Sequence, residues 1–135
     1  MFELKGIDHI VLRVADLEKM ISFYTRVVGC SVDKRRDDLG LVHLRAGSSL
    51  IDLISLDGRL GKSGGAGPGV EGRNMDHVCL RVENFDYDEI QQHLLSHNVQ
   101  IGDLHSNYGA EGNGPSVYIS DPEGNIIEIK GPAVL

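Results

Sequence analysis

"DHIVLRV", residues 8–14, and "DHVCLRV", residues 76–82, carry Asp, His, Leu, Arg and Val in the same five of seven places. Either stretch alone reads as a half-buried β-strand entered through a histidine. A lone strand histidine is usually satisfied by one hydrogen bond, but a repeated one asks whether the whole chain is built twice. The residues after each copy show that it is. After the first, "ADLEKMISFYTRVVG" (15–29) sets Leu17, Met20, Ile21, Tyr24 and Val28 at helical spacing, with Asp16 to cap the start and Gly29 to stop the end. After the second, "ENFDYDEIQQHLLSHN" (83–98) offers Asp86 and Glu89 as a capping box and Phe85 with Ile90 as a hydrophobic staple; Asn98 can serve as the stop.

Each helix then leads into three strand-like segments. They are expected at 30–36, 40–46 and 49–56 in the first half, and at 99–105, 115–120 and 125–130 in the second. The expected fold is α+β: two paired βαβββ modules forming a curved mixed sheet around a cleft, within one domain. Module one covers 6–57 and module two 75–131, joined by a glycine-rich segment, 58–74, that reads as a mobile linker or lid. Its "GKS" (61–63) is no phosphate loop, since Leu56 stands where that motif needs glycine.

Composition narrows the function. At 135 residues the chain can bury a full core without disulfides, and Cys30 and Cys79 form no metal or redox spacing, which suits a reduced cytoplasmic setting. "MFELKG" lacks the basic-then-apolar order of a secretory signal, and no apolar run is long enough to span a membrane. A net charge of −7 argues against nucleic-acid and anionic-membrane partners.

Strand alternation places Ile10, Leu12 and Val14 under the first helix, leaving His9, Val11 and Arg13 on the opposite face. In the second half it sets His77, Cys79 and Arg81 opposite Val78, Leu80 and Val82, so both histidines are expected to face the cleft. The last strand of each half holds a single acid in an apolar run: Asp52 in "SLIDLISL" (49–56) and Glu128 in "GNIIEIKG" (124–131). Such an acid is costly to bury unless a cation or hydrogen-bond donors meet it. Two histidines and two carboxylates in repeat-equivalent places suit a divalent transition metal, with up to two positions left for water or substrate.

At these residues the chain resembles the vicinal-oxygen-chelate superfamily, which includes glyoxalase I, fosfomycin-resistance enzymes, methylmalonyl-CoA epimerase and extradiol dioxygenases. The resemblance runs over about residues 6–131 and is carried by "DHIVLRVADLEKMISFYTRVVG", "DHVCLRV" and "SVYISDPEGNIIEI". It implies His9, His77 and Glu128 as metal ligands, with Asp52 at the position of a fourth ligand that is Glu or Gln in the isomerase-like branches. It further implies one divalent metal per site (Ni, Zn, Co, Mn or Fe), a homodimer, and lyase or isomerase chemistry on a small carbonyl compound, a glutathione hemithioacetal among the candidates, through a metal-stabilised enediolate. Glu128 and Asp52 would move the proton in that chemistry. Arg13 matches an arginine that binds the glutathione carboxylate in glyoxalase I, whereas Leu56 replaces an asparagine of that site. Two other readings share the set: a fosfomycin-type enzyme, with Ser116, Tyr118 and "KRR" (34–36) toward a phosphonate, and an Fe(II) extradiol dioxygenase on His9, His77 and Glu128. A non-catalytic drug-binding module is the remaining alternative. His43, His93, His97 and His105 have no counterpart in the repeat and receive no role.

Overall fold

The computed structural model describes residues 1–134, and they form two compact units, one over Met1–Asn74 and one beginning at Met75. In the first, strand β1 (His9–Val14) leads into helix α1 (Leu17–Phe23), then β2 (Ser31–Arg36), β3 (Leu41–Ala46) and β4 (Ser49–Ser55). In the second, β5 (Val78–Arg81) leads into α2 (Tyr87–Ser96), then β6 (His105–Gly109), β7 (Gly112–Ser120) and β8 (Ile126–Lys130). The fold is α+β, with a four-stranded mixed sheet in each unit, ordered β1-β4-β3-β2 and β5-β8-β7-β6. The first and last strands of each unit pair in parallel, which requires a crossover between them, and the helix lies within that crossover.

The helices start where the sequence says they should. Asp16 accepts from the Lys19 amide at 3.1 Å and Asp86 from the Glu89 amide at 3.1 Å, each satisfying a donor that the first helical turn would otherwise leave orphaned. After α1 the chain widens into one looser turn, Tyr24–Val28, where the Thr25 hydroxyl donates back to the Ile21 carbonyl at 2.8 Å. Gly29 then ends it at φ 96°, and Asn98 comes after α2 at φ 59°. Alternation holds in β1: Leu12 and Val14 are buried while His9 and Val11 are exposed. Leu12, Val14, Met20, Tyr24, Val42, Leu44, Ile51 and Leu53 make the core of the first unit; Leu94, Val117, Ile119 and Ile127 are buried in the second. No helix among the described residues is long and apolar enough to cross a membrane.

One strand differs from expectation. The strand expected at 99–105 carries Val99, Ile101 and Leu104, yet β6 starts at His105 and is the polar run "HSNYG". Its ladder is set by its partner: a tight hairpin brings Gly109 opposite Gly112 and Asn107 opposite Gly114. The edge position lets this strand be polar, so hydrophobic alternation points to the wrong residues. The glycine-rich segment also differs from a loose linker. It makes a short turn at Gly61–Gly64 and docks on Arg13.

Candidate functional site

The register of each sheet puts its carboxylate at the centre of the same small arrangement. Asp52 lies opposite Val11 on β1 and opposite His43 on β3. Glu128 lies opposite Cys79 on β5 and opposite Tyr118 on β7. Both acids are nearly covered, at 4% and 5% exposed, so each needs partners for its charge.

Those partners divide the two oxygens of each carboxylate in the same way. One Asp52 oxygen, Oδ1, meets His43 Nδ1 at 2.9 Å, while Oδ2 faces His9 Nε2 at 3.8 Å. In the second unit Glu128 Oε2 accepts from the Ser116 hydroxyl and, at 3.2 Å, from Asn107 Nδ2, while Oε1 faces His77 Nε2 at 3.2 Å. One oxygen is anchored to the sheet and the other is turned to a histidine. The two histidines are themselves oriented alike. His9 Nδ1 meets Asp8 Oδ1 at 2.7 Å, and His77 Nδ1 meets Asp76 Oδ2 at 2.6 Å. A carboxylate on one ring nitrogen fixes the proton there and leaves the other nitrogen as the lone-pair donor, which is how metal-binding histidines are commonly held.

The charges are set by these contacts. Burial pushes Glu128 up, but hydrogen bonds from Ser116, Asn107 and Tyr118, with His77 nearby, outweigh it and hold the carboxyl below its usual range. The Asp76 hydrogen bond raises His77, and the Asp8 hydrogen bond, then the charge of Asp52, raises His9. Burial, then the Glu128 charge, raises Tyr118, so its hydroxyl keeps its proton. Burial likewise raises the Cys79 thiol, which makes it a poor nucleophile.

Of the residues singled out from the sequence, the structure joins His9 to Asp52 and His77 to Glu128. Among the described residues no three His, Cys, Asp or Glu side chains make a group that could hold a metal ion; each histidine–carboxylate half-set supplies two donors. Ser116 is fully covered and its hydroxyl is spent on Glu128, so its position is that of an anchor for the carboxylate. Tyr118 receives an Asn107 amide hydrogen at 3.1 Å and stands edge-on to His77, ring centres 5.7 Å apart. The Arg13 guanidinium donates to the carbonyls of Gly61, Gly65 and Ala66 at 3.2, 2.6 and 3.2 Å. Its Nε is buried without a partner among the described residues.

Sequence reasoning misses three kinds of partner. Asp8 and Asp76 stand in the repeated motif itself, and their repetition beside the histidines is the available signal. His43 has no histidine counterpart in the repeat; by register its counterpart is Tyr118, the ring opposite the other carboxylate. Asn107 carries no signal, because hydrophobic alternation puts its strand elsewhere.

Comparison with known proteins bears on this geometry. The family model described as "Glyoxalase/Bleomycin resistance protein/Dioxygenase superfamily" matches residues 6–129. A glyoxalase domain-containing protein of Mycosarcoma maydis is 31% identical over 128 residues, covering 93% of this chain and 68% of that protein. The mitochondrial methylmalonyl-CoA epimerase of Homo sapiens is 25% identical over 111 residues, 76% of this chain and 63% of that protein. Among solved structures, a virulence protein of Salmonella typhimurium superposes with a TM-score of 0.75 at 25% identity, covering 98% of this chain and all of that one (100%).

Proposed function

Because the chain belongs to the glyoxalase, bleomycin-resistance and dioxygenase superfamily, we propose that its two histidine–carboxylate half-sets serve a divalent transition metal in a lyase or isomerase reaction on a small carbonyl compound. The observation that carries this reading is the divided carboxylate. Asp52 and Glu128 each have one oxygen anchored and one turned to a histidine Nε2. A purely structural buried acid has no need of a histidine whose other nitrogen is already held by a second acid. Two imidazole nitrogens and two carboxylate oxygens suit Zn, Co, Ni, Mn or Fe(II) by donor type. The resemblance implies His9, Asp52, His77 and Glu128 as its ligands, and such an ion, when bound, would polarise a substrate carbonyl as a Lewis acid.

The remaining steps belong to the chain's own groups. Glu128 is ionised at neutral pH, since its hydrogen bonds hold its carboxyl low. It can take a proton from the carbon beside a carbonyl. Ser116 and Asn107 fix Oε2, so Oε1, which faces His77 Nε2 at 3.2 Å, is the oxygen turned outward from the sheet's hydrogen bonds for this step. Tyr118 keeps its proton and can hydrogen-bond a substrate oxygen. A relative that is an epimerase fits this class of chemistry.

The test uses chelator-treated protein reloaded separately with Ni, Co, Mn, Zn and Fe(II). Deuterium exchange in D2O at carbons beside carbonyls is monitored by NMR over a panel that includes the methylglyoxal–glutathione hemithioacetal. Metal-dependent exchange, lost in Glu128→Gln, is the expected result. Bound metal with no exchange or turnover of any panel compound would overturn the reading.

A further inference from the structure

Helix α2 ends in the run "HLLSH", residues 93–97. Its inward face is set by Tyr87, Ile90 and Leu94, the last of them fully covered. Residues four apart on a helix lie one above the other, so His93 and His97 share a stripe on the outward face, and both are exposed. Their rings stand edge to face, with centres 4.9 Å apart and 63° between the planes.

That spacing is the one a shared metal ion requires. An imidazole nitrogen binds a Zn-like ion at about 2.0–2.1 Å, which puts the ring centre about 3.2 Å from the metal. Two rings that meet at the ion at about 90–110° then stand roughly 4.5–5.2 Å apart. The observed separation falls inside that interval. The end of the helix is built to keep it there. Val99 N–H donates to the Leu94 carbonyl at 2.9 Å and Asn98 N–H to the Leu95 carbonyl at 3.0 Å, with Asn98 left-handed at φ 59°. This paired closure holds the last turn, so His97 keeps its place one turn beyond His93. The Ser96 hydroxyl ties the same turn by donating to the His93 carbonyl at 2.6 Å. The last turn is also the negative end of the helix dipole, where a cation is favoured.

We infer that His93 and His97 form a two-histidine surface site for a divalent ion of the Cu(II), Ni(II) or Zn(II) class, with water in the remaining positions. Imidazole selects these ions over Mg and Ca. No third His, Cys, Asp or Glu joins the pair among the described residues, so the bound ion stays open to water or to a ligand from outside. Metalloprotease helices with the same histidine spacing carry a glutamate base directly after the first histidine. Here Leu94 stands in that place and is turned into the core, so the site binds a metal and lacks the base for hydrolysis. It lies wholly in the second unit and does not rest on the chemistry proposed at Glu128.

The experiment titrates the full chain with Zn(II) at neutral pH and follows the ring Hε1 resonances by NMR. Those of His93 and His97 are assigned by their absence in His93→Gln and His97→Gln, and those of His9 and His77 by the corresponding glutamine variants. The His93 and His97 resonances should move together to saturation with one midpoint. In His93→Gln the His97 midpoint should rise on the order of a hundredfold, and the converse should hold in His97→Gln, because each imidazole supplies the other's effective concentration. The double variant Leu95→His/His97→Leu keeps the number of histidines but sets the two rings on different faces, and its His93 midpoint should rise as far. Different midpoints for the two wild-type rings, an unchanged midpoint in either single variant, or no saturable movement would overturn the proposal. The His9 and His77 resonances report the other site in the same titration, so failure of either reading is told apart from failure of the other.

Discussion

Replacing Ser116 by alanine tests how the buried charge of Glu128 is carried. Ser116 is completely covered, and its hydroxyl donates to Glu128 Oε2. The change removes one oxygen and leaves no sizeable cavity, so the lost hydrogen bond dominates. A hydrogen bond to a charged group contributes about 1.5–3 kcal/mol. Asn107 still reaches Oε2 at 3.2 Å, which points to the lower half of that range, about 1.5–2 kcal/mol at pH 7. For a chain of this size each kcal/mol moves the thermal midpoint by roughly 3–5 °C. The effect must also depend on pH. The Glu128 carboxyl is held below its usual range in the folded protein, so its contribution is complete above the ordinary glutamate value of about 4.3 and is lost as the pH falls through the depressed folded value. Urea unfolding of wild type, Ser116→Ala and the exposed control Ser106→Ala, repeated from pH 7 downward, reads both. The Ser116→Ala gap should be full at pH 7 and narrow in acid, with the control within about 0.5 kcal/mol, the range for surface substitutions. A gap under about 0.5 kcal/mol at pH 7, or one that stays constant into acid, would refute the argument.

NMR titration of the metal-free protein should place the His9 and His77 midpoints above the free imidazole value of about 6.5, since Asp8 and Asp76 stabilise the protonated rings. Asp8→Asn should lower only His9, and Asp76→Asn only His77. Gly61→Ala should destabilise by about 3 kcal/mol in urea unfolding, because a Cβ there runs into the Ser55 backbone carbonyl, which cannot swing aside. Arg13→Gln should loosen the segment that its guanidinium ties through three carbonyls, read as faster tryptic cleavage at Arg59, Lys62 and Arg73 with the rest of the chain unchanged.

The fold was legible because local signals agreed with the repeat. Asp16 and Asp86 cap where a cap was expected, and Gly29 and Asn98 take the left-handed conformation at the stops. The exception, β6, is set by pairing instead of composition: an edge strand of "HSNYG" buries little, and its ladder depends on glycines across the hairpin. The candidate site was half legible. Equivalence in the repeat singles out His9, Asp52, His77 and Glu128, and the structure brings His9 to Asp52 and His77 to Glu128. The groups that orient them could not, because His43 meets Asp52 only through the β3–β4 register, and Asn107 reaches Glu128 from a strand that hydrophobic alternation misplaces. Arg13 illustrates the opposite case, since its strand face was evident from alternation but its engagement by the 61–66 carbonyls was not.

Metal affinity tests the central claim most directly. Chelator-treated wild type, His77→Ala, Glu128→Ala and Asp52→Ala would each be titrated calorimetrically with Ni and Zn. The account predicts saturable binding by the wild type and a loss on the order of a hundredfold or more in Glu128→Ala and His77→Ala. The loss in Asp52→Ala should be smaller, since its free oxygen stands 3.8 Å from His9 Nε2 against 3.2 Å for the Glu128–His77 pair. Unchanged stoichiometry and affinity in Glu128→Ala would contradict it.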